Sequence, residues 1–249
     1  RYTGPIYARM TLLMPQKLLE DRAILLEPTY YMDADAPDIR RFARDEAGSG
    51  DAISRAVRLY YAVRDGIRYN PYALAIEPQS FRASAILSAG EGWCVPKAVL
   101  LAALCRASGI PARLGFADVC NHLSTERLRQ SMGTEVFYFH GYTSIFLEDR
   151  WVKATPAFNI ELCDKFGLRP LEFNGLEDSL YHEFDRAGNR HMEYLNERGE
   201  YADLPFDEIM SVFRENYPRM MNQLDANKDM PVGDWEEEVE QEVGQEVSR

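Results

Sequence analysis

The chain has 249 residues, 46% of them hydrophobic, which is enough to bury a sizeable core in one catalytic-sized domain with appendages. Its 40 acidic and 28 basic side chains give a formal net charge of -12, which argues against nucleic acid or an anionic membrane surface as the main partner. No run approaches the roughly 20 apolar residues of a membrane span, and no signal peptide is evident. The four cysteines form no CxxC pair, which is typical of a reduced, cytoplasmic protein.

The first predicted elements are helices. Asp35-Ala36-Pro37 supplies a cap and a proline at a first helical position, so the sequence predicts a short helix through Arg40 to Ala47. After Asp51, apolar residues recur at helical spacing, as expected of an amphipathic helix with one side on a core: Ile53, Val57, Tyr60, Tyr61 and Ile67. A further short helix is predicted over 83–89.

A buried helix is predicted next. Residues 95–107 are apolar on nearly all sides, and Gly109 and Pro111 end the pattern. Cys94 therefore lies at the N-terminus of a central helix.

The second half of the chain carries strand patterns rich in aromatic and β-branched residues: 112–119, 134–139, 143–148 and 150–155. A further hairpin is predicted around 186–189, and a late helix over 206–216. Because helices come first and strands second, the sequence predicts an α+β fold with a mostly antiparallel sheet.

Cys94 is the first candidate for chemistry. Backbone N–H groups at a helix start, with the positive end of the helix dipole, favour a thiolate over a thiol, and the thiolate is the nucleophile. The Gly-flanked turn also allows the N–H of Cys94 to point at an oxyanion. Without a base, a small hydrophobic residue at a helix start remains the simpler interpretation.

His140 is the best placed base among four histidines, the others being His122, His182 and His191. If the following hairpin turns over two residues within Leu-Glu-Asp-Arg, His140 and Thr155 lie on the same face of the sheet. A three-residue loop would reverse that relation. Taken alone, His140 could equally be a structural histidine.

Together these features resemble a known family. The Gly-x-Cys at 92–94, the helix ending in RASGIPARLGF, the histidine at 140 and the W-V-x-x-x-P at 151–156 are similar to the transglutaminase-like core of the papain-like cysteine enzyme superfamily. The resemblance covers roughly residues 53–160 and implies a papain-like fold. It implies that Cys94 is the nucleophile and His140 the general base.

The third catalytic position departs from the family, which usually has an Asp before the proline where this chain has Thr155. A hydroxyl can orient the imidazole but brings no charge, and Asn159 is a second candidate because related enzymes use a neutral Asn. Gln79 and Tyr69 are weaker candidates for an oxyanion donor, and Trp93 for a wall of the pocket.

The resemblance implies an enzyme that cleaves amide or peptide bonds through a thioester, which either water or an amine then resolves. The substrate would be a peptide or protein amide, and the chemistry requires no cofactor. The alternative is a non-catalytic module that keeps the cleft as a peptide-binding groove, a hypothesis that Thr155 favours.

Four segments are expected: an N-terminal extension (1–50), the catalytic core (51–160), a C-terminal elaboration (161–227) and an acidic tail helix (228–249). The tail, with Trp235 on a narrow apolar stripe, is interpreted as a solvated appendage, with a partner-binding helix as the alternative. Residues 225–236 match the acidic positions of a calcium loop, but Met230 replaces the required glycine, which argues against calcium.

Overall fold

The computed structural model describes residues 22–121, 124–180 and 192–226, together with Trp235, Glu237 and Glu238. The helices are α1 (Pro37–Ala47), α2 (Ala52–Gly66), α3 (Ala83–Ala89), α4 (Cys94–Ala107), α5 (Glu126–Met132), α6 (Ile160–Lys165), α7 (Phe206–Asn216) and α8 (Pro218–Asp225). The strands are β1 (Arg68–Tyr69), β2 (Glu91–Gly92), β3 (Ala112–Asn121), β4 (Val136–Leu147), β5 (Arg150–Ala154) and β6 (Met192–Tyr201). Within these ranges, no helix is both long and apolar enough to cross a lipid bilayer.

The predicted helices of the first half are confirmed, and local chemistry explains where they begin. Pro37 occupies the first turn of α1, where a missing N–H costs nothing. The carboxylate of Asp51 caps α2 by accepting the N–H of Ser54 at 2.8 Å. In α4, every residue from Cys94 to Arg106 is buried, as the apolar pattern predicts.

A buried lysine joins α4 to the end of α2. Lys97 is fully buried, and its Nζ donates hydrogen bonds to the carbonyl oxygen of Arg64 at 2.9 Å and to that of Ile67. These carbonyls lie at the C-terminal end of α2, where helix carbonyls lack partners within the helix. The lysine therefore fixes the central helix against its neighbour.

The main sheet is antiparallel with the order β5-β4-β3-β6, which confirms the α+β prediction. The separate strands expected over 134–139 and 143–148 form one strand, β4. A bulge next to His140 bends β4 without ending its pairing to β3. The parallel pair of β1 and β2 is two residues long and was too short to show a sequence pattern.

The hairpin between β4 and β5 has the predicted two-residue loop. Leu147 pairs with Arg150, and the loop residues Glu148 and Asp149 have φ of 45° and 62°. Two positive φ values are typical of the tight turn that matches the twist of paired strands. The predicted hairpin around 186–189 lies outside the described residues.

One hydrophobic core includes residues from each of the four expected segments, among them Met32, Leu100, Phe213 and Trp235. The interpretation of the tail as a solvated appendage is wrong for Trp235, whereas Glu237 is exposed. Trp235 is 3% exposed, and its ring packs against those of Tyr72 at 5.8 Å and Phe166 at 6.0 Å. The aromatic side chain outweighs the charge of its neighbours because burying a large ring is favourable.

Candidate active site

The residues before Cys94 belong to a short parallel strand pair that leads directly into α4. Tyr69 of β1 pairs with Gly92 of β2, and Trp93, in extended conformation, precedes the first residue of α4. A Cβ on Gly92 would lie 3.0 Å from the Cβ of Pro96, so glycine permits the close turn into the helix. The sequence thus places the sulfur of Cys94 at the start of α4.

Strand β4 crosses directly over this helix start. A Cβ on Gly141 would lie 3.0 Å from the Cα of Val95, closer than real side chains pack. Glycine therefore lets the backbone of β4 approach the first turn of α4. The approach brings His140, the residue before Gly141, to the cavity that Cys94 lines.

The cavity that Cys94 and His140 share has a volume of about 50 Å³. Its other lining side chains are apolar or aromatic, among them Leu74, Leu128, Met132, Phe137, Phe213 and Met220. Both candidate residues are almost completely buried, Cys94 at 3% exposure and His140 at 4%. The site is an apolar cavity with a thiol and an imidazole in its wall.

Burial raises the pKa of the Cys94 thiol to about 11, whereas the helix start alone predicts a lowered pKa. The backbone N–H groups of Gly141, Val95 and Cys94 itself lower the pKa, but burial has the larger effect. Cys105, which is also fully buried in α4, has its pKa raised to about 12 by burial, and only the charge of Arg55 opposes it. Cys94 therefore differs from an ordinary core cysteine in having N–H groups directed at its sulfur.

Thr155 lies beside His140, as the hairpin register predicts. The two residues line a second, smaller cavity together with Phe158 and Met192. The backbone N–H of Thr155 donates to the carbonyl oxygen of Ser179 at 2.8 Å, but its buried Oγ1 has no hydrogen-bond partner among the described residues. An unpaired buried hydroxyl is unfavourable and commonly marks a functional position.

Asn159 is occupied by other contacts. Its Oδ1 accepts the backbone N–H of Tyr69 at 3.2 Å, and its Nδ2 donates to Glu161 at 2.9 Å. It lies immediately before α6 and lines neither cavity. The amide therefore joins α6 to β1.

The weaker candidates separate into two groups. Tyr69 and Trp93 both line the cavity of Cys94, and the Trp93 ring packs on Phe213 at 5.8 Å. Gln79 is exposed in a 3₁₀ turn (Pro78–Phe81) and does not line this cavity. Helix α3 lies between this turn and Cys94 in the chain, so the number of intervening residues does not show how far Gln79 is from Cys94 in space.

Tyr217 is a cavity residue that sequence reasoning missed. Its hydroxyl donates to the carbonyl oxygen of Val136 at 2.9 Å and accepts the N–H of Tyr138 at 2.7 Å, so it is bound to β4. The amphipathic pattern of α7 indicated a buried face but not the surface that this face would cover.

His122, His182, His191 and most of the possible calcium loop lie outside the described residues. Elsewhere in the chain as described, no three His, Cys, Asp or Glu side chains are grouped as a metal site.

Two solved structures show distant similarity to this chain. A protein from Cytophaga hutchinsonii, called a putative cysteine protease, is 18% identical with a TM-score of 0.45, over 80% of this chain and 57% of its own. A protein from Parabacteroides distasonis, called a putative protease, is 15% identical with a TM-score of 0.34, over 55% of this chain and 25% of its own. The chain thus spans little more than half the length of the first. A search of curated proteins returned no match.

Residues 40–156 match the sequence model of the transglutaminase-like superfamily. The match begins within α1, earlier than the resemblance expected from about residue 53, and ends at Pro156. It contains Cys94, His140 and Thr155. The similarity to the transglutaminase-like superfamily therefore covers slightly less than half of this chain and lies within its α+β fold.

Proposed function

We propose that the protein is a cysteine peptidase or amidase in which Cys94 is the nucleophile and His140 the general base. The observation that carries the proposal is the shared cavity, in which the helix-start thiol and the imidazole line one wall. Nucleophile and base must come within hydrogen-bond reach for proton transfer, and the close approach of Gly141 to Val95 supports that arrangement.

In the proposed reaction, the Cys94 thiol gives its proton to His140, and the thiolate attacks the carbonyl carbon of an amide. The imidazolium gives the proton to the amide nitrogen as the C–N bond breaks. The amine departs, and the acyl group remains bound to Cys94 as a thioester. His140 then removes a proton from water, the hydroxide attacks the thioester, and the C–S bond breaks to restore the thiol. The backbone N–H of Cys94 is the proposed donor to the oxyanion, with Tyr69 as a second.

Burial makes a lone thiolate at Cys94 costly, as its raised pKa indicates. A protonated His140 would supply the positive charge that offsets this cost. Thr155 is the proposed partner of the second imidazole nitrogen because its hydroxyl is buried, unpaired and beside His140. Asn159, whose amide is bound to Tyr69 and Glu161, is the weaker of the two candidates.

The apolar cavity favours a substrate with an apolar side chain next to the cleaved amide. An unpaired carboxylate placed among Leu128, Phe137 and Met220 would lose several kcal/mol of hydration without compensation. We expect peptide amides with Leu or Phe at this position to react at least tenfold faster than those with Glu. Assays with and without a primary amine distinguish hydrolysis from amine transfer.

Iodoacetamide labelling tests the proposed pair. The rate at each cysteine is measured from pH 5 to 9 by peptide mass spectrometry, in wild type and His140→Ala. We expect Cys94 to react well below pH 8 in wild type and to lose this reactivity in the variant. Cys105 and Cys163, both fully buried, are internal references for unfolding. Slow labelling of Cys94 that His140→Ala leaves unchanged contradicts the proposal.

The second candidate function is the non-catalytic peptide-binding module. It is favoured by the raised pKa of Cys94 and by the absence of a carboxylate at Thr155. A partner surface on the acidic tail is less favoured, because Trp235 and Glu238 are engaged within the chain. Cytoplasmic location remains part of the proposal and is supported by the four cysteines, none of which is in a disulfide.

A further inference from the structure

The bulge next to His140 inserts one extra residue into β4. Ala117 of β3 pairs with His140, and Val119 pairs with Phe137, so Tyr138 and Phe139 together face the single residue Asp118. Phe139 has φ of 55°, a left-handed conformation that is strained for a bulky residue. The strain is stored in the residue that immediately precedes the proposed base.

A bulge removes backbone N–H groups from the hydrogen-bond ladder between strands. Here these are the N–H groups of Tyr138 and Phe139, and each has a side-chain acceptor. The N–H of Tyr138 donates to the hydroxyl of Tyr217 at 2.7 Å. The N–H of Phe139 donates to Oδ1 of Asp118 at 3.2 Å. Because an unpaired buried N–H is costly, these acceptors hold the backbone in its strained form.

Arg198 fixes Asp118 from the other side. It lies in an irregularity of β6, between the pairs Phe116–Gly199 and Ala117–Glu197, and its Nε donates to Oδ1 of Asp118 at 2.7 Å. Its guanidinium also lies 4.6 Å from the centre of the Phe139 ring. The irregularities of β4 and β6, the two strands that flank β3, therefore converge on one buried carboxylate, which is 5% exposed.

We propose that Asp118 and Arg198 are positioning residues that set the direction of His140 by holding the bulge at Phe139. The inference rests on the proposed function, since it concerns the base of that reaction. A regular strand would have no extra residue here, and His140 would point to the opposite face of the sheet. Neither Asp118 nor Arg198 lines the cavity of Cys94, so both act through the backbone.

The chain offers a matched control for the loss of a buried carboxylate. Asp33 is also nearly buried, accepts a backbone N–H from Ser84 at 3.1 Å, and pairs with Arg82 at 3.1 Å. It lines neither of the cavities that contain His140. Asp33→Ala thus removes the same kinds of contact without touching the bulge.

The test compares Asp118→Ala, Asp118→Asn and Asp33→Ala by the pH profile of Cys94 labelling and by the NMR resonances of the His140 ring, assigned with His140→Ala. We expect Asp118→Ala to slow Cys94 labelling at pH 6 by roughly tenfold, less than the ~100-fold that a 1 Å misplacement can cost. Asp118→Asn keeps an oxygen for the N–H of Phe139 and should retain most of the wild-type rate. If Asp118→Ala does not fold, Arg198→Met is the disrupting variant, because it removes the donor that holds Asp118.

Asp33→Ala should leave both the pH profile and the His140 resonances at their wild-type values. The inference is overturned if Asp118→Ala and Arg198→Met leave the His140 resonances in place, or if Asp33→Ala moves them equally. A different result contradicts the proposed function, namely a rate of Cys94 labelling that is the same in wild type and in His140→Ala. Because the ring resonances report the position of His140 without any reaction, the two failures are distinguishable.

Discussion

The hydroxyl of Thr155 is the residue-scale feature that departs most from the family. A buried hydroxyl without a partner costs stability in the folded protein, and a hydrogen bond to His140 during the reaction would give it a role. The hairpin register and the shared cavity place the two side chains on one face of the sheet.

Thr155→Val tests that role. We expect the variant to keep the unfolding free energy of wild type to within about 1 kcal/mol, because the hydroxyl has no partner to lose. If the hydroxyl orients His140, Cys94 labelling below pH 8 should fall roughly fivefold, which corresponds to one neutral hydrogen bond. Ser144→Ala, which also removes a buried hydroxyl without a partner, is the control and should leave labelling unchanged. Equal labelling in Thr155→Val and wild type would reject the assignment.

Lys97 gives a pH-dependent prediction. Burial lowers its pKa to about 7 from the ordinary 10.5, so the unfolded chain binds more protons between these values. The free energy of unfolding should therefore rise with pH from 7 towards 10.5, by at most on the order of 1 kcal/mol per pH unit. Urea unfolding at pH 7.0 and 8.5 measures the rise, and Lys97→Met should abolish it.

Lys97→Met also leaves the carbonyls of Arg64 and Ile67 without their donor, which should cost about 2 kcal/mol or more at pH 8.5. A variant as stable as wild type at that pH would show that water replaces the lysine. An unchanged rise between pH 7.0 and 8.5 would assign the pH dependence to another group.

At the scale of elements, the approach of β4 to α4 determines whether thiol and imidazole meet. Two glycines make the local geometry possible, Gly92 before the helix and Gly141 on the strand. Neither has a positive φ, so it is the missing Cβ rather than backbone freedom that requires glycine. The contact is between backbones and leaves no room for repacking.

Gly141→Ala should separate the two elements. The new methyl group would overlap the backbone of Val95, and overpacking of this kind costs about 1–3 kcal/mol. We expect Cys94 labelling at pH 6 to slow about tenfold. This change is larger than the effect that the lost stability alone would have on the labelling rate. Gly66→Ala is the control, because nothing lies within 4 Å of a Cβ there. A Gly141→Ala protein with wild-type labelling would mean that the elements tolerate separation.

At the scale of the whole molecule, Trp235 and Glu238 of the C-terminal tail pack against residues that line the candidate site or lie next to it. The ring of Trp235 packs on Tyr69, which lines the cavity of Cys94, at 6.5 Å. Glu238 accepts the hydroxyl of Tyr72 at 2.6 Å and forms an ion pair with Arg127 of α5. Residues far apart in the chain thus pack around one cavity.

Trp235→Ala should loosen this packing. We expect labelling of Cys94 to become several times faster at pH 8, because Tyr69 loses a buried aromatic neighbour and the cavity opens more often. Deleting residues 234–249 should have the same effect and should lower stability, whereas a solvated appendage would leave both unchanged. Ile24→Ala, at a side chain that is 60% exposed, is the control for loss of an apolar group.

The elements that the sequence predicted correctly are those whose determinants are local. The proline at the start of α1 and the all-round apolar pattern of α4 each depend on neighbours within a few residues. The cap expected at Asp35 does not form, because Ala36 occupies the N-cap position without a side-chain hydrogen bond. In α2 the fully buried side includes Ala56 and Leu59, whereas Ile53 and Val57 are only partly buried. The sequence analysis did not predict the helices α5, α6 and α8, which have six to eight residues. The family motifs, in their order along the chain, indicated Cys94, His140 and Thr155.

By itself, the sequence determined the α+β class, the central helix that begins at Cys94 and the similarity to the transglutaminase-like superfamily. The face shared by His140 and Thr155 depended on the length of the hairpin loop, which the structure gives as two residues. Only the tertiary structure decided that the thiol is buried, that Asn159 is bound to Tyr69, that Trp235 packs on the core and that Asp118 meets Arg198 beneath a strained Phe139. The physical reason is the separation along the chain of the residues that determine each feature. Helix caps and turns follow from adjacent residues, whereas burial and the convergence of side chains depend on which distant surfaces pack together.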